Sequence, residues 1–172
     1  MKKKIFQWCV LGCVCLMAAS PASAGNMSVE EIFQWVKSEY KCKNDHPIPE
    51  VRFVSKEELQ KVYRRCNENV AKKWAGKYGT QKANEMMNFY LNEVIGLCIP
   101  KTGDIYVGNF LPPCKRDATV AHELTHYFQL MEEGPIDPKI SGAQDKFLYH
   151  EMKAALFENN FIEKFCDPPN RK

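Results

Sequence analysis

Nine consecutive residues, Val120-Ala121-His122-Glu123-Leu124-Thr125-His126-Tyr127-Phe128, restrict this chain more than any other stretch. On a helix, positions i and i+4 lie one above the other, so His122 and His126 can offer ring nitrogens to one metal ion without distorting the backbone. Glu123 falls about 100° further round. That is too far for a third ligand on the same face, but it can reach a water held there and serve as general base. Ala118, Ala121, Leu124, Thr125, Phe128 and Met131 surround the pair. The helix, expected over residues 118–131 with Asp117 as its cap, is therefore at least partly buried, and buried imidazoles need hydrogen bonds or a metal to offset desolvation.

A catalytic zinc commonly has three protein ligands, so a second element should supply another. A last helix is expected over residues 145–165, with Leu148, Met152, Ala155 and Ile162 as an apolar stripe and Glu151 within it. A carboxylate on a core-facing stripe costs on the order of several kcal/mol unless paired or metal-bound, which makes Glu151 the expected third ligand. His150 and Glu158 are the alternatives, with Asp145 nearby. Glu158 suits a different role, accepting the remaining N–H of a ligand histidine. An ion pair with Lys146 or Lys153 is the plain reading of Glu151.

Upstream, Ser28-Val29-Glu30-Glu31 is a capping box opening a helix over residues 29–40. Residues 51–54 read as a strand, and Ser55-Lys56-Glu57-Glu58 opens a second helix that Gly76 and Gly79 interrupt. Two short apolar runs, 97–99 and 105–107, flank a Pro/Gly turn and predict a β-hairpin. Trp35, Trp74, Phe89 and Phe161 read as core, and the lysine clusters at 56–61 and 72–73 as solvated helix faces.

Lys2, Lys3 and Lys4 precede an apolar run to Ala19, and Ala22-Ser23-Ala24 follows as a small-residue cleavage site. Residues 1–24 are thus expected to be a secretory signal peptide. The run is shorter than the about 20 residues of a membrane span and contains Gln7, so no anchor is expected after cleavage. Lipidation at Cys13 fits poorly, because Leu11 suits that motif badly. The remainder, residues 25–172, has the length of one compact domain. Losing three lysines and no acids leaves 21 basic residues against 21 acidic. That neutral balance makes no case for nucleic acid or an anionic membrane surface as partner. The cysteines outside the leader are Cys42, Cys66, Cys98, Cys114 and Cys166, which in an oxidising compartment implies two disulfides and one thiol. The favoured bridge joins Cys98 to Cys114, which flank one short strand segment, with Cys42 to Cys66 second. None has a neighbour at zinc-finger spacing.

His122-Glu123-x-x-His126 on a helix, preceded by the hairpin and followed by Glu151-Met152-Lys153-Ala154 on another helix, resembles the gluzincin branch of zinc metallopeptidases. The likeness runs over residues 94–165, and its first motif is the specific part. It lacks the glycine and third histidine soon after His126 that a metzincin requires. The resemblance implies an α+β, zincin-like fold, with a small sheet or hairpin packed against the His122–His126 helix and a C-terminal helix carrying Glu151. It also implies one Zn2+ on His122, His126 and Glu151, with Glu123 as base in peptide-bond hydrolysis, and a strand at 105–107 lining the cleft and pairing with an extended peptide. Many members place a tyrosine or histidine after the glutamate to stabilise the oxyanion, but residues 151–172 contain neither. Tyr149, His150, Tyr127 and Tyr106 are the substitutes, undecided among themselves.

The expectation is therefore a secreted or periplasmic zinc metallopeptidase acting on peptide or protein substrates, its short lysine-rich leader suiting a bacterium. Two other classes compete. One is an exported binding protein of the same fold, in which zinc or disulfides stabilise a recognition surface. The other is a disulfide-stabilised structural protein without metal.

Overall fold

A computed structural model describes residues 27–137 and 140–166. The expected leader and its cleavage site lie outside the described residues, as does Pro138 in the loop before the last helix. The described residues are α+β, with six α-helices and a three-stranded sheet, and they divide into two compact units.

The smaller unit covers residues 60–94 of the described chain. It holds most of α2 (Lys56–Cys66), then α3 (Glu68–Tyr78) and α4 (Thr80–Glu93). Gly79, at φ 86°, separates α3 from α4 with a backbone conformation that other residues rarely adopt. Trp74 stacks on Tyr90 with ring centroids 5.7 Å apart, and Gln60 Nε2 donates to the Leu91 carbonyl at 2.9 Å. Trp74 is core as expected; Phe89 is not, standing 57% exposed on the outer face of α4.

The larger unit begins with α1 (Val29–Tyr40), whose capping box forms as expected: Glu31 N donates to Ser28 Oγ at 3.2 Å and Ser28 N to Glu31 Oε2 at 2.7 Å. Ile32, Phe33 and Val36 make its buried face. The strands are β1 (Val51–Val54), β2 (Gly96–Cys98) and β3 (Ile105–Gly108). The expected hairpin is β2–β3, its turn closed by Ile99 N donating to the Asp104 carbonyl at 2.8 Å.

The sheet order is β1-β3-β2, with β3 parallel to β1 and antiparallel to β2. Both edges of β3 are thereby occupied, so residues 105–107 have no main-chain groups left for a peptide, contrary to expectation. The free edge on the hairpin side belongs to β2. Ile95 O and Ile99 N bond across to β3, which turns the main-chain groups of Gly96 and Cys98 outward.

Ile105 and Val107 pack on α5 (Pro113–Glu133), which is wrapped from Asp117 to Gln129 with only His126 less than fully buried. Helix α5 starts earlier than residue 118, because Pro113 needs no N–H partner in a first helical turn and its ring sets a helical φ. Asp117 is therefore not a cap. It lies a turn inside, buried, accepting from Met27 N at 3.2 Å and paired with Arg116. The chain returns as α6 (Ala143–Phe161) and a π-helical turn (Ile162–Cys166).

Helix α6 buries Ala143, His150, Ala154, Phe157, Glu158 and Phe161. The expected stripe holds only in part: Ala155 and Ile162 are half-buried, Ile162 packing on the core, but Leu148 is 47% and Met152 66% exposed. A two-residue offset rotates a helical face by about 200°, and aromatic Phe157 and Phe161 win the core. The disulfide differs too. Cys114 bonds Cys166, Cα to Cα 5.9 Å, while Cys98, Cys42 and Cys66 are thiols. Cys98 belongs to β2 and packs toward the core, whereas Cys114, in the first turn of α5, meets the end of the returning helix. No helix among the described residues is long and apolar enough to cross a membrane.

Candidate metal centre

Contacts between α5 and α6 run in opposite order along the two helices, so they lie antiparallel: Glu158 meets Lys115 and His122, Glu151 meets His122 and His126, and His150 meets Gln129 and Glu133. The middle rungs bring three ligand side chains together. His122 Nε2 and His126 Nε2 are 3.2 Å apart, and the Glu151 oxygens lie 3.9 Å from the first and 3.4 Å from the second. Among the described residues this is the one group of three or more His, Cys, Asp or Glu whose ligand atoms converge so closely. Tetrahedral zinc with bonds of about 2.0–2.1 Å needs ligand atoms roughly 3.3–3.4 Å apart, so the spacing fits.

The outer nitrogens settle which atoms face inward. His122 Nδ1–H donates to Glu158 Oε2 at 3.1 Å and His126 Nδ1–H to Gln129 Oε1 at 2.8 Å. Each ring then turns an Nε2 lone pair toward the other, and two lone pairs at 3.2 Å repel unless a cation stands between them. In the metal-free chain that cation is a proton: burial lowers the pKa of His126, but the Glu151 carboxylate outweighs it and the imidazole is pushed up to about 9. Glu151 and Glu158 are correspondingly held below the usual carboxylate range. Burial opposes this, but His126 outweighs it for the first and His122 with Lys115 for the second.

Glu158 thus takes the expected place behind His122. Gln129 was missing from the sequence reading. It is 1% exposed, and its amide also donates to the His150 carbonyl at 3.0 Å, joining both helices behind His126. The signal was there to be read, since a glutamine three residues past a ligand histidine, inside an apolar helix, must find partners for both amide ends.

Glu123, the expected base, is buried beside the cluster, and burial raises its pKa against the pull of His122 and His126. The main-chain N–H of Cys98 lies close enough to its carboxylate to oppose that rise slightly. A Cβ at Gly96 would stand 2.6 Å from Glu123 Oε1 and 2.7 Å from Thr119 Cγ2, so only glycine lets β2 pass this close to α5.

None of the four aromatic substitutes is brought into the cluster. Tyr106 alternates with core-facing Ile105 and Val107, so it points to the other face of the sheet, where its hydroxyl accepts from Arg52 Nη1 at 2.9 Å. Tyr127 donates to the Pro47 carbonyl at 2.7 Å. Tyr149 is 58% exposed and about 160° round α6 from Glu151. His150, rather than ligating, pairs with Glu133 at 3.1 Å, and burial lowers its pKa. No protein-family model, curated protein or solved structure matches this chain.

Proposed function

We propose that this chain is a zinc-dependent metallopeptidase of compact zincin-like fold, exported from a bacterial cell to the periplasm or medium. One observation carries the reading. Two imidazoles, locked from behind by Glu158 and Gln129, direct their lone pairs at a point that Glu151 also faces, with Glu123 at its side.

His122, His126 and Glu151 would hold the ion. When bound, zinc supplies Lewis acidity, polarising a carbonyl and lowering the pKa of water to about 7. The chain supplies the proton traffic. Glu123, desolvated and with a raised affinity for protons, receives one from water at its carboxylate and returns it to the leaving amine. The Cys98 N–H faces that carboxylate, which leaves the outward N–H and carbonyl of Gly96 and the carbonyl of Cys98 on the β2 edge for an extended substrate.

A second reading has its own support. Tyr106, Tyr127, Tyr149 and His150 all have other engagements or other directions, which favours an exported binding protein whose metal stabilises a recognition surface with little turnover. Metal analysis with peptide-library cleavage by wild type and Glu123→Gln separates the two. A peptidase carries one zinc per chain in both proteins and loses cleavage by about 10²-fold or more in the variant. Zinc without cleavage selects the binding protein. Identical cleavage by both proteins removes Glu123 from the mechanism, and no zinc uptake removes the metal reading altogether.

A further inference from the structure

The antiparallel pair α5–α6 is joined at one end by the connection through residues 134–142 and at the other by Cys114–Cys166. Beside the bridge, Lys115 follows Cys114 directly and forms an ion pair with Glu158, whose side chain is 4% exposed. The other oxygen of Glu158 holds His122 Nδ1. Cys114 is about two helical turns from His122 along α5, and Cys166 lies eight residues past Glu158. A covalent bond, an ion pair, a hydrogen bond and the ligand pair thus succeed one another along one helix seam.

We propose that oxidation of Cys114 and Cys166 licenses metal capture, the bridged chain binding zinc tightly and the dithiol chain weakly. This rests on the reading that His122, His126 and Glu151 hold a metal. The two thiols give up two electrons and two protons to the disulfide of a thiol–disulfide exchange partner. One S–S bond forms in the chain and the partner leaves as a dithiol. The bridge closes a loop with a sequence separation of 52. Without it, that end keeps its apolar packing through Ala118, Phe161 and Ile162 and the Lys115–Glu158 pair but loses its covalent restraint, so the seam opens more readily and admits water around a carboxylate whose place behind His122 depends on exclusion of solvent. In an exported chain the order is bridge first, metal second, so the reducing interior of the cell keeps the protein unloaded.

Zinc affinity is measured by competition with a chromophoric chelator on oxidised wild type and on Cys114→Ser/Cys166→Ser, with far-UV circular dichroism confirming that both are folded. At least tenfold weaker binding by the double variant is expected; equal affinity overturns the proposal. Lys115→Met keeps the bridge but cuts its link to Glu158, and severalfold weaker binding is expected there too. Should the double variant not fold, wild type is equilibrated with glutathione redox buffers with and without zinc. Reciprocity requires zinc to shift Cys114–Cys166 toward the disulfide by the factor by which oxidation tightens zinc. No shift, or a shift toward the dithiol, overturns the proposal. Failure of oxidised wild type to take zinc sinks both this inference and the metal reading, whereas equal uptake in both redox states sinks this inference alone.

Discussion

A single carboxamide illustrates how much of this centre depends on groups that touch no metal. Gln129 accepts from His126 Nδ1 and donates to the His150 carbonyl, so Gln129→Leu, similar in volume, removes both bonds. It is expected to weaken zinc binding by about 10- to 100-fold and to cost about 1–3 kcal/mol of stability in denaturant unfolding, from the buried groups left unpaired. At Gly96, alanine drives a methyl into Glu123 Oε1 and Thr119 Cγ2. Thermal unfolding of Gly96→Ala should report a loss of about 1–3 kcal/mol. The pH dependence follows from His126, whose pKa is raised to about 9 from an ordinary 6.5. A raised histidine contributes stability that is fully present below its unfolded value and lost as pH rises through the folded one. The metal-free chain should therefore lose stability between pH 6.5 and about 9. Zinc must displace that proton, so its affinity should climb over the same window and then level off. Chelator competition at several pH values checks the climb, and flat affinity would exclude His126 as a ligand.

At the scale of elements, some things were readable in the chain and others were not. The His122–His126 pair was, because its geometry is local to one helix and needs no partner to be stated. The capping box of α1 and the β2–β3 hairpin were legible for the same reason. Glu151 is found by a stripe of which Leu148 and Met152 face outward, and it enters the cluster from the border of the face that carries Ala154 and Phe157. The position of β3 between two neighbours, and the Cys114–Cys166 pairing, arise from contacts between segments far apart in sequence. A substitution pair tests the face assignment. Met152→Lys, on the outer face of α6, should change stability by no more than about 0.5 kcal/mol, whereas Ala154→Leu, with 0% exposure, should cost about 1–3 kcal/mol by overpacking. Equal effects in urea unfolding would place the core face elsewhere.

For the whole molecule, every residue of the proposed centre, with its supports and its bridge, belongs to the larger compact unit, and none comes from residues 60–94. An ion bound only by the folded state stabilises it by mass action, about 4 kcal/mol at a thousandfold excess over its dissociation constant. Scanning calorimetry should accordingly show a higher melting temperature with zinc, reversed by a chelator. An unchanged melting temperature at saturating zinc would mean that the ion does not prefer the folded chain.

The outward face of α6 also gives the molecule a chemical tag of its own. Met152 is 66% exposed one residue past Glu151, while Met87 is 3% exposed within α4. Mild peroxide should convert the first thioether to its sulfoxide and spare the second. The mass of the peptide carrying residue 152, compared between purified and cellular protein, then tells whether anything shields that side of the helix where the protein works.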